Sequence, residues 1–332
     1  MPQPLGEFAR IDRFLKPLSA GLRGALGLTD DAGRIRVPSG HDLVVTVDAI
    51  VEGVHFLADD PPHAVAQKAL RVNLSDLAAK GARPYAYLLT CALPRHCDES
   101  WLSGFCAGLA ADQAQYAIAL LGGDSVGTPG PAMISITAHG LVPSDGMVLR
   151  SGARPGDFAC VTGTIGDARL GLMALQGTLP PSIAEADRAG LIARYRLPKP
   201  RTALAEALRR YATAALDVSD GLIADLSHLA QQSGVCIAIE ADRVPLSEAA
   251  KRTIEAGGAD RLRLFTGGDD YEIAFTLPPN AWPAMQSAAA LAGVPVHKVG
   301  IVAAAETDAA AVTLRDAAGD RIALEGTTGW QH

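Results

Sequence analysis

Apolar and polar positions alternate along "HDLVVTVDAIVEGVHF". Leu43, Val45 and Val47 share one face, and Val44, Thr46 and Asp48 the other, so His41–Phe56 is predicted as a strand. The next stretch, "PPHAVAQKALRVNLSDLAAKGARP", reads as a helix preceded by Pro61 and Pro62 and ended by Gly81 and Pro84. Further on come a strand ("AYLLTCALP"), a helix ("DESWLSGFCAGLAADQAQ"), a strand into a glycine turn ("AIALLGGDS") and a strand ("AMISITAHGLV"). "LRSGARPGD" (Leu149–Asp157) is the best linker candidate. Beyond it, "FACVTGTIGDARLGLMALQG" reads as strand, glycine turn and helix, and another helix follows Pro200. In "AALDVSDGLIADL" a helix begins whose apolar stripe is Leu222, Ile223, Leu226, Leu229 and Ala230, ended by Gly234. A strand ("CIAIEAD"), the segment "FTGGDDYEIAFTL" and a late strand pair in "AGVPVHKVGIV" complete the pattern. Strands alternate with helices, and some strands follow one another directly, which fits an α/β or α+β fold. Two domains are expected, residues 1–148 and 149–332.

Composition narrows the function. Of 332 residues 48% are hydrophobic, enough for buried cores. Net charge is −7 with no basic run, which argues against a nucleic-acid partner and a membrane surface. No apolar run reaches the ~20 residues of a bilayer span, and the start "MPQPLGEFARIDRFL" is not a signal peptide. The five cysteines contain no CxxC pair and suit reduced thiols in the cytoplasm.

The acidic residues carry the chemistry. "AALDVSDGLIADL" holds Asp217, Asp220 and Asp225 and no basic residue. Buried carboxylates are costly unless something pairs with them. Ser219 or Asp220 could serve as an N-cap, but capping does not explain Asp217, Asp48 or Asp124. Asp76 falls near the end of its helix, where a carboxylate opposes the helix dipole and a cation would reverse the cost. Acidic residues at the ends of core elements suit Mg²⁺ or Ca²⁺, and several Mg²⁺ ions with phosphates suit phosphoryl transfer. The glycine turn after "FACVT" resembles a phosphate loop only loosely, without the Lys-Ser/Thr of a Walker motif. Two motifs recur at nearly one offset: Asp76 in "NLSDLAA" and Asp220 in "DVSDGLI" lie 144 residues apart, and Asp124 in "LGGDS" and Asp269 in "TGGDD" lie 145 apart. Either the short motifs coincide by chance or two domains are similarly built.

"GLTDDAG", "VTVDAIVEGVHF", "VNLSDLAAKGARP", "LLGGDS", "LRSGARPGD", "VTGTIGD", "LDVSDGL" and "GGDDYE" occur in this order. The chain thereby resembles the thiamine-monophosphate kinases, of the superfamily that includes aminoimidazole ribonucleotide synthetase. The similarity runs from about Gly6 to Trp330. It implies a two-domain fold of that superfamily, with a metal-, ATP-binding and dimerising N-terminal domain and a C-terminal α/β domain that completes the nucleotide and substrate site. It implies ATP-dependent phosphorylation of thiamine monophosphate with several Mg²⁺ ions, in a homodimer whose N-terminal sheets join. The resemblance nominates Asp31, Thr46, Asp48, Asp76, Asp124, Asp217 and Asp220 for metal, and Gly123, Asp124, Arg150 and Ser219 for nucleotide. His55, Asp269 and Trp330 are nominated for substrate. Asp269 stands where relatives often have Glu, and Val47 where they have a hydroxyl residue. Without the family, His55 would read as a packed core residue and Trp330 as a docking aromatic. A phosphate acceptor, with a second pKa near ~6, is already mostly ionised at neutral pH, so no general base is expected.

Overall fold

The computed structural model describes residues 6–305, 311–323 and Gly329, the side chain of Glu7 aside. The chain divides into two compact units: residues 1–77 with 82–145, and residues 78–81 with 146–332. Elements in chain order are α1 (Glu7–Arg10), β1 (His41–Val51), α2 (Pro62–Ala79), β2 (Arg83–Leu93), α3 (Glu99–Tyr116), β3 (Ala119–Gly127), β4 (Met133–Pro143), β5 (Phe158–Thr162), α4 (Asp167–Leu175), α5 (Glu185–Arg196), α6 (Ala205–Tyr211), β6 (Ala214–Val218), α7 (Leu222–Ser233), β7 (Val235–Glu240), α8 (Glu248–Glu255), α9 (Arg261–Leu264), β8 (Glu272–Leu277), α10 (Trp282–Ala292), β9 (Val296–Ala304), β10 (Val312–Arg315) and β11 (Arg321–Ile322).

The first unit is built on a four-stranded sheet of order β1-β4-β2-β3. Ala66, Leu70, Leu74 and Leu77 recur at helical spacing along α2 and share a core with Phe105 and Leu109 of α3 and with Val44, Ile50, Leu89 and Ile136 of the sheet. Val45 and Val47, on the other face of β1, are exposed. Helix α3 meets the chain near the start of α2 at Gly108, where a Cβ would lie 2.3 Å from the His63 carbonyl oxygen; only glycine fits. Under this core Arg71 makes two 2.8 Å bonds to the fully buried Asp112, which also accepts from Gln67 at 2.7 Å.

The second unit has a seven-stranded sheet of order β11-β10-β7-β9-β5-β8-β6. The β7–β10 pair is parallel and the other pairs are antiparallel. Strands β6 and β8 are buried along their whole length. Because β6 runs antiparallel to β8, with Val218 opposite Glu272, the end of one lies beside the start of the other. That register juxtaposes the "DVSDG" and "GGDDY" segments.

Four expectations change. The strand predicted over His41–Phe56 ends at Val51, and the chain turns at Gly53, with φ 82°. "AGVPVHKVGIV" is not a strand pair: it enters the single strand β9, whose residues pair with both β5 and β7. The Gly-Gly-Asp of "LLGGDS" is not a turn but lies inside β3, hydrogen-bonded alongside Leu88–Thr90 of β2. The two recurring motifs also occupy unlike places. "NLSDLAA" is the C-terminal end of α2, whereas "DVSDGLI" crosses from strand end to helix start; "LGGDS" is strand, whereas "TGGDD" precedes one.

Candidate active site

In the second unit β6 delivers Asp217 to its end, 7% exposed, and the chain turns through Ser219, Asp220 and Gly221 into α7. Gly221, not Ser219 or Asp220, is the N-cap, with φ 125° and no side-chain cap bond. Asp225, one turn into the helix, supplies the missing acceptor. Its Oδ2 accepts the backbone N–H groups of Ser219, Asp220 and Gly221 at 3.0, 3.0 and 3.1 Å. This carboxyl is therefore met by peptide dipoles. Burial, then the Asp220 charge, pushes its pKa up to about 7, against the pull of those three bonds.

The "GGDDY" loop closes over the same turn. The N–H of Asp269 donates to the Ser219 carbonyl and that of Tyr271 to the Val218 carbonyl, both at 2.8 Å. Asp217 near the end of β6, Ser219 and Asp220 in the turn after it, and Asp269 in the adjoining loop are thus brought together. Asp270 turns inward and is fully buried. It accepts from the Gly166 N–H at 2.7 Å and the Ala168 N–H at 3.3 Å, where α4 begins. A carboxylate of the chain itself stands where a phosphate would sit, so the "TGTIGD" turn is not a phosphate loop. Burial holds the Asp270 carboxyl well above the usual range, against those two bonds and the Arg194 charge.

In the first unit Thr46 donates to Asp76, and the Asp48 N–H donates to the Asn73 side chain at 3.1 Å. Burial, then the Asp76 charge, pushes the Asp48 pKa to about 6. His55 lies in the turn after β1. Its Nδ1 accepts from the Val51 N–H at 3.1 Å, so the neutral ring carries its proton on Nε2. Lys68, 2% exposed, donates to the His55 carbonyl at 2.7 Å. Asp124 is placed apart from Asp48: β1 and β3 are opposite edges of the sheet, three strand spacings or roughly 14 Å. Gly123 packs so closely that a Cβ would lie 1.8 Å from the Leu89 carbonyl oxygen. Asp31 is on an exposed loop, its N–H donating to Asp30 at 2.8 Å. Among the described residues no three His, Cys, Asp or Glu side chains are gathered closely enough to hold a metal ion.

The family models for AIR synthase related protein match this chain, the N-terminal domain over residues 29–142 and the C-terminal domain over 154–312. The chain is 45% identical over 332 residues to the thiamine-monophosphate kinase of Caulobacter vibrioides, covering 99% of this chain and 91% of that one. The chain belongs to the thiamine-monophosphate kinase family. The crystal structure of the Stenotrophomonas maltophilia thiamine-monophosphate kinase is 38% identical, with a TM-score of 0.82 over 93% of this chain and 96% of that one. AaThiL complexed with AMPPCP and TMP is 33% identical, with a TM-score of 0.78 over 99% and 97%.

Within this thiamine-monophosphate kinase fold Arg150 lies away from Ser219. Its carbonyl accepts from Ser233 at the far end of α7, a helix of 12 residues or roughly 18 Å. Trp330 lies outside the described residues; its neighbour Gly329 packs where a Cβ would meet Ala224 at 2.4 Å. Asn73, Asp225 and Asp270 are polar groups of the site that reading the sequence did not single out for a role. Asp225 was legible in principle, because an acid four residues past a helix-start glycine can reach back to free N–H groups. No helix of the described residues is long and apolar enough to cross a membrane.

Proposed function

We propose that the chain transfers the γ-phosphoryl group of ATP to the phosphate of thiamine monophosphate, giving ADP and thiamine diphosphate. An oxygen of the acceptor phosphate bonds to the γ-phosphorus as the bond to the β-phosphate oxygen breaks. One observation carries this reading: the end-to-end relationship, at 45% identity, to a thiamine-monophosphate kinase. The acceptor is already ionised at neutral pH, so the protein has to bind and align two polyanions and needs no base. His55 supports this division of labour, since its Nδ1 is committed to the Val51 N–H and is not placed to take a proton.

The donors fit Mg²⁺: they are oxygens, and the Asp48 carboxyl is raised by burial and by Asp76, both of which a cation would offset. Asp31, Thr46, Asp48, Asp76 and Asp124 of the first unit and Asp217 and Asp220 of the second would hold such ions. Bound Mg²⁺ supplies charge neutralisation of the phosphates. Gly123, Asp124, Arg150 and Ser219 are assigned to nucleotide, and His55, Asp269 and Trp330 to thiamine phosphate. In domain terms, residues 1–148 bind metal and ATP and dimerise, and residues 149–332 contribute the remaining nucleotide and substrate groups. The exposed Val45 and Val47 face of β1 supports a homodimer joined through the first unit. The five cysteines, free in the structure, suit a cytoplasmic enzyme.

The test is a panel of phosphate acceptors with ATP and Mg²⁺, read as ADP release and product mass. Thiamine monophosphate should be the preferred acceptor and thiamine diphosphate the product. Turnover of a different acceptor in its place, or of none, would overturn the assignment.

A further inference from the structure

Asp269 and Tyr271 both hold left-handed backbone, at φ 73° and φ 48°. Side chains rarely adopt this conformation, and two such residues flanking one position persist only where their surroundings over-determine the loop. The outer tie is the pair of N–H bonds to Ser219 and Val218. The inner tie is an acidic pair, Asp270 and Glu272, both fully buried. Asp270 is bonded to the Gly166 and Ala168 N–H groups. Glu272 accepts from Thr162 at 2.7 Å, from Arg194 at 3.0 Å, and from Arg201 through both oxygens at 2.5 and 2.6 Å. Arg194 also grips the Asp270 carbonyl at 3.1 Å, so one guanidinium fastens both ends of the Asp270–Glu272 segment. The clamp has no slack: a Cβ on Gly163 would lie 2.1 Å from Glu272 Oε1, and one on Gly268 would lie 2.6 Å from the Ser219 carbonyl oxygen.

We propose that Asp270 and Glu272 are positioning residues for the reaction, which lock the loop so that Asp269 is presented to the acceptor in one fixed orientation. This rests on the reading that Asp269 contacts thiamine phosphate. Neither buried acid is placed to touch substrate or to move a proton. Their carboxylate oxygens are committed to backbone N–H groups, guanidinium groups and a hydroxyl. Loss of the lock should weaken acceptor use more than ATP use. Ser219, assigned to nucleotide, has a separate anchor, its N–H on Asp225.

Steady-state kinetics on the full chain, with each substrate varied in turn, tests the lock. Asp270→Asn puts an amide NH₂ against one of the two N–H donors. It should raise KM for thiamine monophosphate roughly 5- to 30-fold and move KM for ATP less than about threefold. Asp269→Ala should raise the same acceptor KM. The double variant should be no worse than Asp269→Ala alone, because a lock with nothing to present has no effect. Glu272→Gln, of nearly the same shape, is the second probe should Asp270→Asn fail to fold, and Arg201→Lys should recover more acceptor affinity than Arg201→Ala. If Asp269→Ala leaves the acceptor KM unchanged, the assignment of Asp269 itself is wrong. If Asp269→Ala acts but the folded Asp270→Asn or Glu272→Gln does not, the lock is wrong. Additive effects in the double variant, or equal rises in both KM values with a fall in melting temperature, also overturn it.

Discussion

Asp225 Oδ2 lies 3.0 Å from the backbone nitrogen of Asp220 and takes the neighbouring N–H groups of Ser219 and Gly221 as well. Three N–H groups of the turn that leads into α7 thus share one buried carboxylate oxygen. Replacing Asp225 by Ala strands all three, and a buried unmet donor costs about 1–3 kcal/mol. Asp225→Ala should therefore lower the melting temperature by several degrees, and Asp225→Asn, which keeps one acceptor oxygen, should lower it less. Thermal unfolding by circular dichroism checks both, and equal losses would show that the acceptor is not what matters.

Asp76 and Asp220 are the carboxylates expected to matter most for rate. Asp76→Asn and Asp220→Asn should fold normally and lose at least ~100-fold in kcat, as removal of one strong electrostatic element typically does. Near-normal turnover of both folded variants at saturating Mg²⁺ would contradict the metal assignment.

His55 should act as a hydrogen-bond donor and not as a base, because the Val51 N–H occupies Nδ1. The rate should rise through the acceptor's own pKa, near ~6, and then stay flat to about pH 8.5. A second ionisation near neutrality that is removed by His55→Gln would assign proton transfer to this ring.

His139 and His297 set a pH dependence of stability. His139 is buried, with Nδ1 unpartnered, and burial pushes its pKa down against a backbone bond at Ala86; burial likewise lowers His297, against the Glu272 charge. A depressed folded pKa means that the neutral ring is favoured in the native state. The stability contribution is present above the unfolded value of about 6.5 and is lost as pH falls through the lower folded values. Each ring contributes a slope of at most about 1.4 kcal/mol per pH unit. Urea unfolding at pH 7.5 and pH 5.5 should show a smaller difference in His139→Leu than in the parent, and an unchanged difference would refute the assignment.

Asp112 is the clearest single point of failure in the first unit. Its side chain is fully buried and Arg71 only 10% exposed. Asp112→Ala leaves a buried guanidinium without its partner, which costs about 3–5 kcal/mol. Chemical denaturation should show a loss of that size, whereas a loss below about 1 kcal/mol would mean that water or Tyr116 compensates.

The local pattern along the chain already determined much of this. Alternation assigned the faces of β1, with Val45 and Val47 opposite Thr46 and Asp48, because strand side chains repeat every two residues. The proline and glycine punctuation bounded α2 and α7 to within a few residues, because caps are local chemistry. The ordered acidic motifs were enough to reach the family. What local pattern could not supply was partnership across distance. "LGGDS" and "TGGDD" look alike, yet the first is held in β3 by β2 and the second is bent into a loop by Ser219, Val218 and the buried acids. The partners of Asp225 and Asp270 are backbone N–H groups, which every residue but proline carries; the spacing from Gly221 hints at those of Asp225, but nothing local points Asp270 to Gly166 and Ala168, about a hundred residues away. Only the β6–β8 register, joining segments some fifty residues apart, brings Asp217, Ser219 and Asp220 beside Asp269. That register is selected by burial of both strands in one core, an energy that belongs to the folded chain and not to any stretch of it.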